Sequence, residues 1–291
     1  MQHLSNGAKL RSIINQRRAV LVPGAANALS ARVIEELGFE VVYVSGAGIN
    51  NTFYGMPDHG FAGLAEIAQH TSAIAGSVDL PLIVDGDTGF GNAVNTYHTV
   101  RTLERAGANA IQLEDQAMPK RCGQFEGKEI VSTEEMVNKV KAAVDARISS
   151  DFLVIARTDV VSNEGFEAGV ERAQRFIEAG ADMTFVEAVE SEAQLRALPG
   201  LLSVPQVLNV VVGGKTPVVD QAELSKLGFG LVLYANTALQ AAVAGMQQAL
   251  GALRDNGRMD EQGGMVASFA ERQRVVRKPF FDELDERYTG R

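Results

Sequence analysis

The stretch Ala106-Gly107-Ala108-Asn109-Ala110-Ile111-Gln112-Leu113-Glu114-Asp115 decides the fold. A helical pattern over 96–106 runs into a glycine, and an apolar run follows almost at once and stops at two acids. Glycine just past a helix supplies a left-handed cap, and so brief a turn suits a helix-to-strand link. The same junction recurs at Leu37-Gly38-Phe39, Ala179-Gly180-Ala181 and Leu227-Gly228-Phe229. Short apolar runs between helical patterns mark eight strands, at 19–22, 41–44, 82–84, 110–113, 153–156, 183–186, 206–208 and 231–234. Alternating strands and helices imply right-handed crossovers and a parallel sheet, and eight units predict a closed (β/α)8 TIM-type barrel of the α/β class. An open doubly wound sheet is the competing arrangement, but no G-x-G-x-x-G follows the first strand.

The 291 residues suit one barrel of roughly 250 residues plus a tail. We therefore expect a catalytic barrel over 1–256 and a helical C-terminal extension over 257–291. The extension holds a charged helical pattern around Pro279-Phe280-Phe281; a tail that apolar in places is expected to pack on a neighbouring subunit. Hydrophobic residues make up 46% of the chain and charged ones 22%, enough for a large core. A net charge of −9 argues against a nucleic-acid surface and gives no support to an anionic membrane as partner. A single cysteine, Cys122, excludes an intrachain disulfide framework and fits a reducing, cytoplasmic setting. The first residues lack the apolar core of a signal peptide. The most apolar region, 231–253, is broken by Asn236, Gln240, Gln247 and Gln248, which disfavours a membrane span.

Active sites of such barrels sit at the carboxyl ends of the strands. Reading those positions gives Tyr43 and Ser45-Gly46-Ala47-Gly48, Asp85-Gly86-Asp87-Thr88-Gly89, Glu114-Asp115, Arg157-Thr158-Asp159, Glu187, Asn209 and Tyr234. Polar and ionisable residues thus collect at the ends of strands that are otherwise almost wholly apolar. Asp85, Asp87 and Glu114 form a carboxylate cluster, and acids converging in a small volume repel unless a cation is bound. All-oxygen ligands without His or Cys favour Mg²⁺, or Mn²⁺, over zinc, and Mg²⁺ keeps several of its waters. His3, His59, His70 and His98 show no metal spacing. The Ser45 loop offers a hydroxyl and backbone N–H groups to a carboxylate or phosphonate. Arg157 either clamps a carboxylate or pairs with Glu187, and Asn209 is placed to bond a second carboxylate. Beyond Glu114 the chain continues as a loop, Lys120-Arg121-Cys122-Gly123-Gln124-Phe125-Glu126-Gly127. Two cations beside the thiol favour an acid/base cysteine, and the glycines suit a lid.

These residues resemble the isocitrate lyase/phosphoenolpyruvate mutase superfamily. The resemblance rests on Tyr43-x-Ser45-Gly46, Asp85 through Gly91, Glu114-Asp115-Gln116, Lys120-Arg121-Cys122-Gly123, Gly127-Lys128, Ser132 through Met136, Ala156 through Asp159 and Gly213 through Pro217. It covers nearly the whole chain. It implies an α/β barrel, Mg²⁺, a mobile lid around Cys122, and a homotetramer whose C-terminal helices swap between subunits. Lys-Arg-Cys-Gly is similar to the branch of 2-methylisocitrate lyase, 2,3-dimethylmalate lyase and oxaloacetate hydrolase. Within that branch the implied catalytic set is Cys122, Tyr43, Arg157 and Lys120. Cys122 protonates the aci-carboxylate left by retro-Claisen cleavage, Tyr43 assists the substrate hydroxyl, and Arg157 stabilises the oxo-acid product. The implied substrate contacts are Ser45, Gly46, Ala47, Asp58, Arg121, Gly123, Gln124, Arg157, Glu187 and Asn209.

The chain departs from that branch at Gln124, where the lyases carry histidine, at Val210-Val211-Val212, and at Ala235-Asn236-Thr237. Fewer polar partners for a third carboxylate favour an alkylmalate-type substrate over 2-methylisocitrate itself. The expected activity is Mg²⁺-dependent C–C cleavage of a small 2-hydroxy dicarboxylate to a 2-oxo acid and a carboxylate. Hydrolysis or decarboxylation of oxaloacetate is the alternative. Phosphonate P–C chemistry through Asp58 and Ser45 ranks behind both, because Cys122 argues against it.

Overall fold

The computed structural model describes residues 4–120, 128–189, 191–213, 216–217 and 219–290. Eight parallel strands run as β1 (Val20–Ala25), β2 (Val42–Val44), β3 (Leu82–Asp85), β4 (Ala110–Glu114), β5 (Leu153–Thr158), β6 (Met183–Val186), β7 (Val207–Asn209) and β8 (Leu231–Tyr234). Their order is β6-β5-β4-β3-β2-β1-β8-β7. The barrel closes between β6 and β7 through a single parallel bridge, Thr184 to Gln206. There the Thr184 hydroxyl donates to Gln206 Oε1 at 2.7 Å. All eight expected strands are present. β5 runs two residues longer than expected, so Arg157 stands inside the strand rather than beyond it.

Strand alternation divides the core. Tyr43, Ile83, Ala110, Leu153, Ile155, Met183, Phe185, Leu231 and Leu233 fill the barrel interior. Their neighbours Val42, Val44, Leu82, Val84, Ile111, Leu113, Val154 and Ala156 pack outward under the helices. Strands buried on both faces must be apolar throughout, which is why they read as runs rather than alternations. The four junction glycines, Gly38, Gly107, Gly180 and Gly228, all have φ between 81° and 106°, where a side chain would be strained.

One element lies outside the repeating pattern. The helix Asn6–Asn15, capped by Ser5, inserts Leu10 and Ile14 into the interior cluster and plugs the amino-terminal end of the barrel. Arg11 fastens it to Asp182 at 2.9 Å, and the Ser5 hydroxyl bonds Asp151 at 2.7 Å. With that end stoppered, the cleft lies at the opposite, carboxyl face.

Beyond β8 the helices Thr237–Asn256, Phe269–Val275 and Lys278–Thr289 bury none of their residues. Arg274 reaches Glu36 on the barrel surface at 2.8 Å. Val243, Met246, Leu250, Phe269, Phe280 and Phe281 stay exposed along this tail. None of the helices is long and apolar enough to cross a membrane among the described residues.

Candidate active site

The loop after β3 is built by its own backbone. Gly89 N–H donates to Gly86 O at 2.8 Å, Gly86 N–H to Gln112 O at 2.8 Å, and Glu114 N–H to Asp87 O at 2.9 Å. Lys139, buried on the neighbouring helix, holds Thr88 O from below at 3.1 Å. These bonds bring Asp85 and Asp87 beside Glu114. Asp85 is itself held by backbone: Asp87 N–H donates to Oδ1 at 3.2 Å and Gly46 N–H to Oδ2 at 3.3 Å. A Cβ at Gly46 would lie 3.0 Å from Asp85 Oδ2, so glycine permits this approach.

The Ser45 loop caps the short helix Gly46–Ile49, the Ser45 hydroxyl accepting from Gly48 N–H at 3.0 Å. Ser45 and Gly46 are buried and Ala47 is half-buried. Asn236, one of the departures noted above, comes within 3.4 Å of the Ser45 hydroxyl. A π-helical turn, Asn50–Tyr54, follows, an irregularity common at functional sites. Its Asn50 bonds Gly46 O at 3.0 Å and so ties the loop towards Asp58.

Lys120 lies between two of these acids. Its ammonium donates to Asp58 Oδ2 at 3.0 Å and stands 2.6 Å from Asp87 Oδ1. At that distance the Lys120 ammonium pairs directly with Asp87 Oδ1. Burial pushes the Asp87 carboxyl up to about 7, against the pull of Lys120 and with the repulsion of Asp85 and Asp58. Burial likewise carries Glu114 well above the usual carboxylate range, although Arg157 and Lys120 oppose it. Glu114 Oε1 lacks a hydrogen-bond partner among the described residues.

Arg157 is held by a fork. Its Nε and Nη2 donate to the two oxygens of Asp159 at 2.8 and 2.9 Å. Its Nη1 faces Glu114 Oε2 at 3.3 Å, and the guanidinium lies 5.1 Å above the Phe185 ring. Its partners are therefore Asp159 and Glu114, while Glu187 contributes through its charge. Asp159 is shared with the buried Lys128 at 2.8 Å. Burial works against the Asp159 carboxylate, but the charge and hydrogen bonds of Arg157, joined by Lys128, hold it below its ordinary range. Asn209 donates to Glu187 Oε2 at 3.3 Å, and its Oδ1 has no partner among the described residues. Tyr43, deep beneath the cluster, donates to Gln112 Oε1 at 3.1 Å. Burial, then the charge of Asp85, keeps its phenol well above the usual value.

The structure thus brings Tyr43, Ser45, Gly46, Ala47, Asp58, Asp85, Asp87, Glu114, Lys120, Arg157, Glu187 and Asn209 to one end of the barrel. Arg121, Cys122, Gly123 and Gln124 lie outside the described residues. The flanks of that segment meet in an antiparallel bridge between Gln116 and Ile130, with Ala117 N–H donating to Glu129 O at 2.8 Å. The described flanks of the expected lid are therefore held side by side. Sequence reasoning passed over Gln112, Lys128 and the role of Asp159. The signal for Gln112 was present, as the one polar residue inside an apolar strand. Nothing in the sequence announced the pairing of Lys128 with Asp159.

Among the described residues no three acidic or imidazole side chains stand close enough to bind one ion directly. The donor set is nonetheless that of a hard cation: Asp85 beside the buried carboxylates of Asp87, which also faces Lys120, and of Glu114, whose Oε1 has no hydrogen-bond partner among the described residues. Mg²⁺ and Mn²⁺ fit such a set, since a cation that keeps its waters needs one or two direct carboxylates.

A family model described as phosphoenolpyruvate phosphomutase matches residues 10–254. The chain is 38% identical over 289 residues to the 2,3-dimethylmalate lyase of Eubacterium barkeri, covering 99% of this chain and 100% of that protein. It is 44% identical over 251 residues to a 2-methylisocitrate lyase of Aeropyrum pernix, covering 86% and 80%. A crystal structure of 2,3-dimethylmalate lyase, a PEP mutase/isocitrate lyase superfamily member, superposes with a TM-score of 0.91 at 32% identity, over 98% of this chain and 96% of that one. A phosphonopyruvate hydrolase solved with oxalate and Mg²⁺ superposes with a TM-score of 0.88 at 32% identity, over 98% and 100%. By fold and by sequence over most of its length, the chain belongs to the phosphoenolpyruvate phosphomutase family within the PEP mutase/isocitrate lyase superfamily.

Proposed function

We propose that this protein is a Mg²⁺-dependent carbon–carbon lyase that cleaves a small 2-hydroxy dicarboxylate to a 2-oxo acid and a carboxylate. The observation that carries the reading is the buried juxtaposition of Asp85, Asp87 and Glu114 with the guanidinium of Arg157. Such a site binds a cation and an oxo-acid together. The lyases among its relatives support the same class. Asp85, Asp87 and Glu114 would hold Mg²⁺ or Mn²⁺, partly through water. When bound, the ion stabilises the negative charge that develops on the oxo-acid oxygens.

The chain's own residues do the rest. Arg157, rigid in the Asp159 fork, offers its remaining edge to the oxo-acid carboxylate. Ser45, Gly46 and Ala47 hold a carboxylate at the mouth of β2, and Asn209 with Glu187 bounds the far side. Tyr43 hydrogen-bonds the substrate hydroxyl. Glu187, whose charge lies beside Arg157, takes the hydroxyl proton as the ketone forms and the C–C bond breaks, and the bonding pair stays on the departing fragment as an aci-carboxylate. The Cys122 thiol then protonates that carbon. Lys120, fixed between Asp58 and Asp87, keeps a positive charge at the cleft floor. Val211, Val212 and Asn236 favour an alkylmalate over a tricarboxylate, whereas Val210 packs under the helices with Leu208 and Val232. The exposed apolar tail would pack on neighbouring copies in a homotetramer by helix exchange, in the cytoplasm.

The test is release of 2-oxo acid from 2-methylisocitrate, isocitrate, 2,3-dimethylmalate, other alkylmalates and oxaloacetate, with and without chelator. Chelator-sensitive release from a 2-hydroxy dicarboxylate supports the lyase. Turnover of oxaloacetate alone replaces it with the hydrolase or decarboxylase.

A further inference from the structure

Beneath the carboxylate cluster the barrel interior holds a polar pair that the chemistry above leaves half explained. Tyr43 and Gln112 line a small cavity of about 10 Å³, whose other walls, including Val22, Ile83, Ile155 and Leu233, are apolar. Gln112 is 1% exposed, and its Nε2 has no partner among the described residues. A buried amide N–H group with no protein acceptor is costly to keep in an apolar barrel interior. Methionine or leucine would fill the same volume among these walls without that cost. A residue that breaks the local rule inside an otherwise consistent strand points to a task other than packing.

Its contact identifies the task. The Tyr43 hydroxyl has one proton to donate and two lone pairs to offer, and that proton is committed to Gln112 Oε1 at 3.1 Å. We infer that Gln112 is a positioning residue that fixes the Tyr43 hydroxyl so that its lone pairs, not its proton, face the cleft. Tyr43 then accepts a hydrogen bond from the substrate hydroxyl and holds its oxygen in place for proton loss to Glu187, instead of competing as a second donor. The inference rests on the lyase reading for the role of Tyr43, but the Tyr43–Gln112 bond is observable without any turnover.

Two measurements test it. In protein carrying ¹³Cζ-tyrosine, the Tyr43 resonance, one of five and assigned by its loss in Tyr43→Phe, should move in Gln112→Met. An unmoved resonance overturns the inference whether or not the protein turns over any substrate on the panel. With the best substrate, Gln112→Met should lower kcat by about tenfold or more, equivalent to about 1.4 kcal/mol, with KM within about threefold. In a Tyr43→Phe background the same change should add less than about twofold, because effects through one group do not multiply. Gln112→His, with one acceptor nitrogen, should recover part of the loss. A merely structural Gln112 would shift the melting temperature and leave kcat within about twofold, or multiply with Tyr43→Phe; either result overturns the assignment.

Discussion

Gly24→Ala tests whether the carboxyl ends of β1 and β8 are as closely matched as they look. Gly24 sits one residue beyond the Pro23–Tyr234 pair of the β1–β8 ladder. A Cβ there would lie 1.9 Å from Ala235 O and 2.6 Å from its carbonyl carbon. Real Cβ contacts essentially never fall below 3.0 Å, so Ala235 must retreat by roughly 1.1 Å, and it is backbone that must move rather than a pliable side chain. Overpacking of this kind costs about 1–3 kcal/mol, and parting the strand ends adds one or two ladder hydrogen bonds of about 1 kcal/mol each. A loss of about 2–5 kcal/mol should follow, lowering the melting temperature by about 4–20 °C in a barrel of this size. Asn236, next along the chain, should pull away from Ser45 and raise KM. Gly38→Ala is the control: its methyl meets nothing within 4 Å, but φ is 81°, so strain alone should cost about 1–2 kcal/mol. Calorimetry with steady-state kinetics decides. If Gly24→Ala melts with the wild type, or no lower than Gly38→Ala, the collision argument is wrong.

Three further outcomes follow from the site. Cys122→Ser should lower kcat by about 10²–10⁴-fold, the range of a lost general acid, with unchanged circular dichroism; a turnover near wild type removes the proton donor. Arg157→Lys keeps the charge but cannot form the two-pronged bond to Asp159, so kcat/KM should fall by at least about 100-fold, and a loss under about fivefold would mean that charge alone suffices. Asp159 titrates below its ordinary range in the fold, so its ionised form contributes stability above about pH 4 that is lost as pH falls through the lowered value. Asp159→Asn should therefore lower the melting temperature at pH 7 and flatten its dependence between pH 5 and 3; parallel curves for variant and wild type would contradict this.

The barrel was legible because its signals are local. A glycine cap such as Gly107 and an apolar run such as 110–113 state helix end and strand within a few residues, and parallel strands buried on both faces leave little ambiguity. Strand ends were legible for the same reason: in 110–115 the change from leucine to two acids marks where the interior meets the cleft. What failed was anything set by where a side chain turns or by a residue on another element. Arg157 could face Glu187 or Asp159 by spacing alone, and only the turn after β5 folds Asp159 back onto the guanidinium. The plug at 6–15 was missed because Leu10 and Ile14 make a weak amphipathic pattern, whose meaning depends on the open barrel end above it. Gln112 was visible as a polar residue in an apolar run, but its function depends on Tyr43 from another strand.

The charge balance of the cleft argues for an order of binding. Among the described residues the carboxylates of Asp58, Asp85, Asp87, Glu114, Asp159 and Glu187 gather here with the cations of Lys120, Lys128 and Arg157. Burial raises Asp87 to about 7 and carries Glu114 above the carboxylate range because ionising them here is costly, and a dicarboxylate brought in without a cation adds to that cost. At an effective dielectric of about 20, unit charges 4 Å apart interact by about 4 kcal/mol. One uncompensated acid beside each substrate carboxylate is therefore enough to move binding from micromolar to millimolar. A divalent cation reverses the balance, so substrate should bind well only after the ion. Titration calorimetry of (S)-malate should give a dissociation constant at least about 100-fold weaker in chelator than in Mg²⁺, while Mg²⁺ binding alone should need no malate. Equal malate affinity in both buffers would mean that Arg157 and Lys120 compensate the substrate unaided, and the excess of acids would then need another explanation.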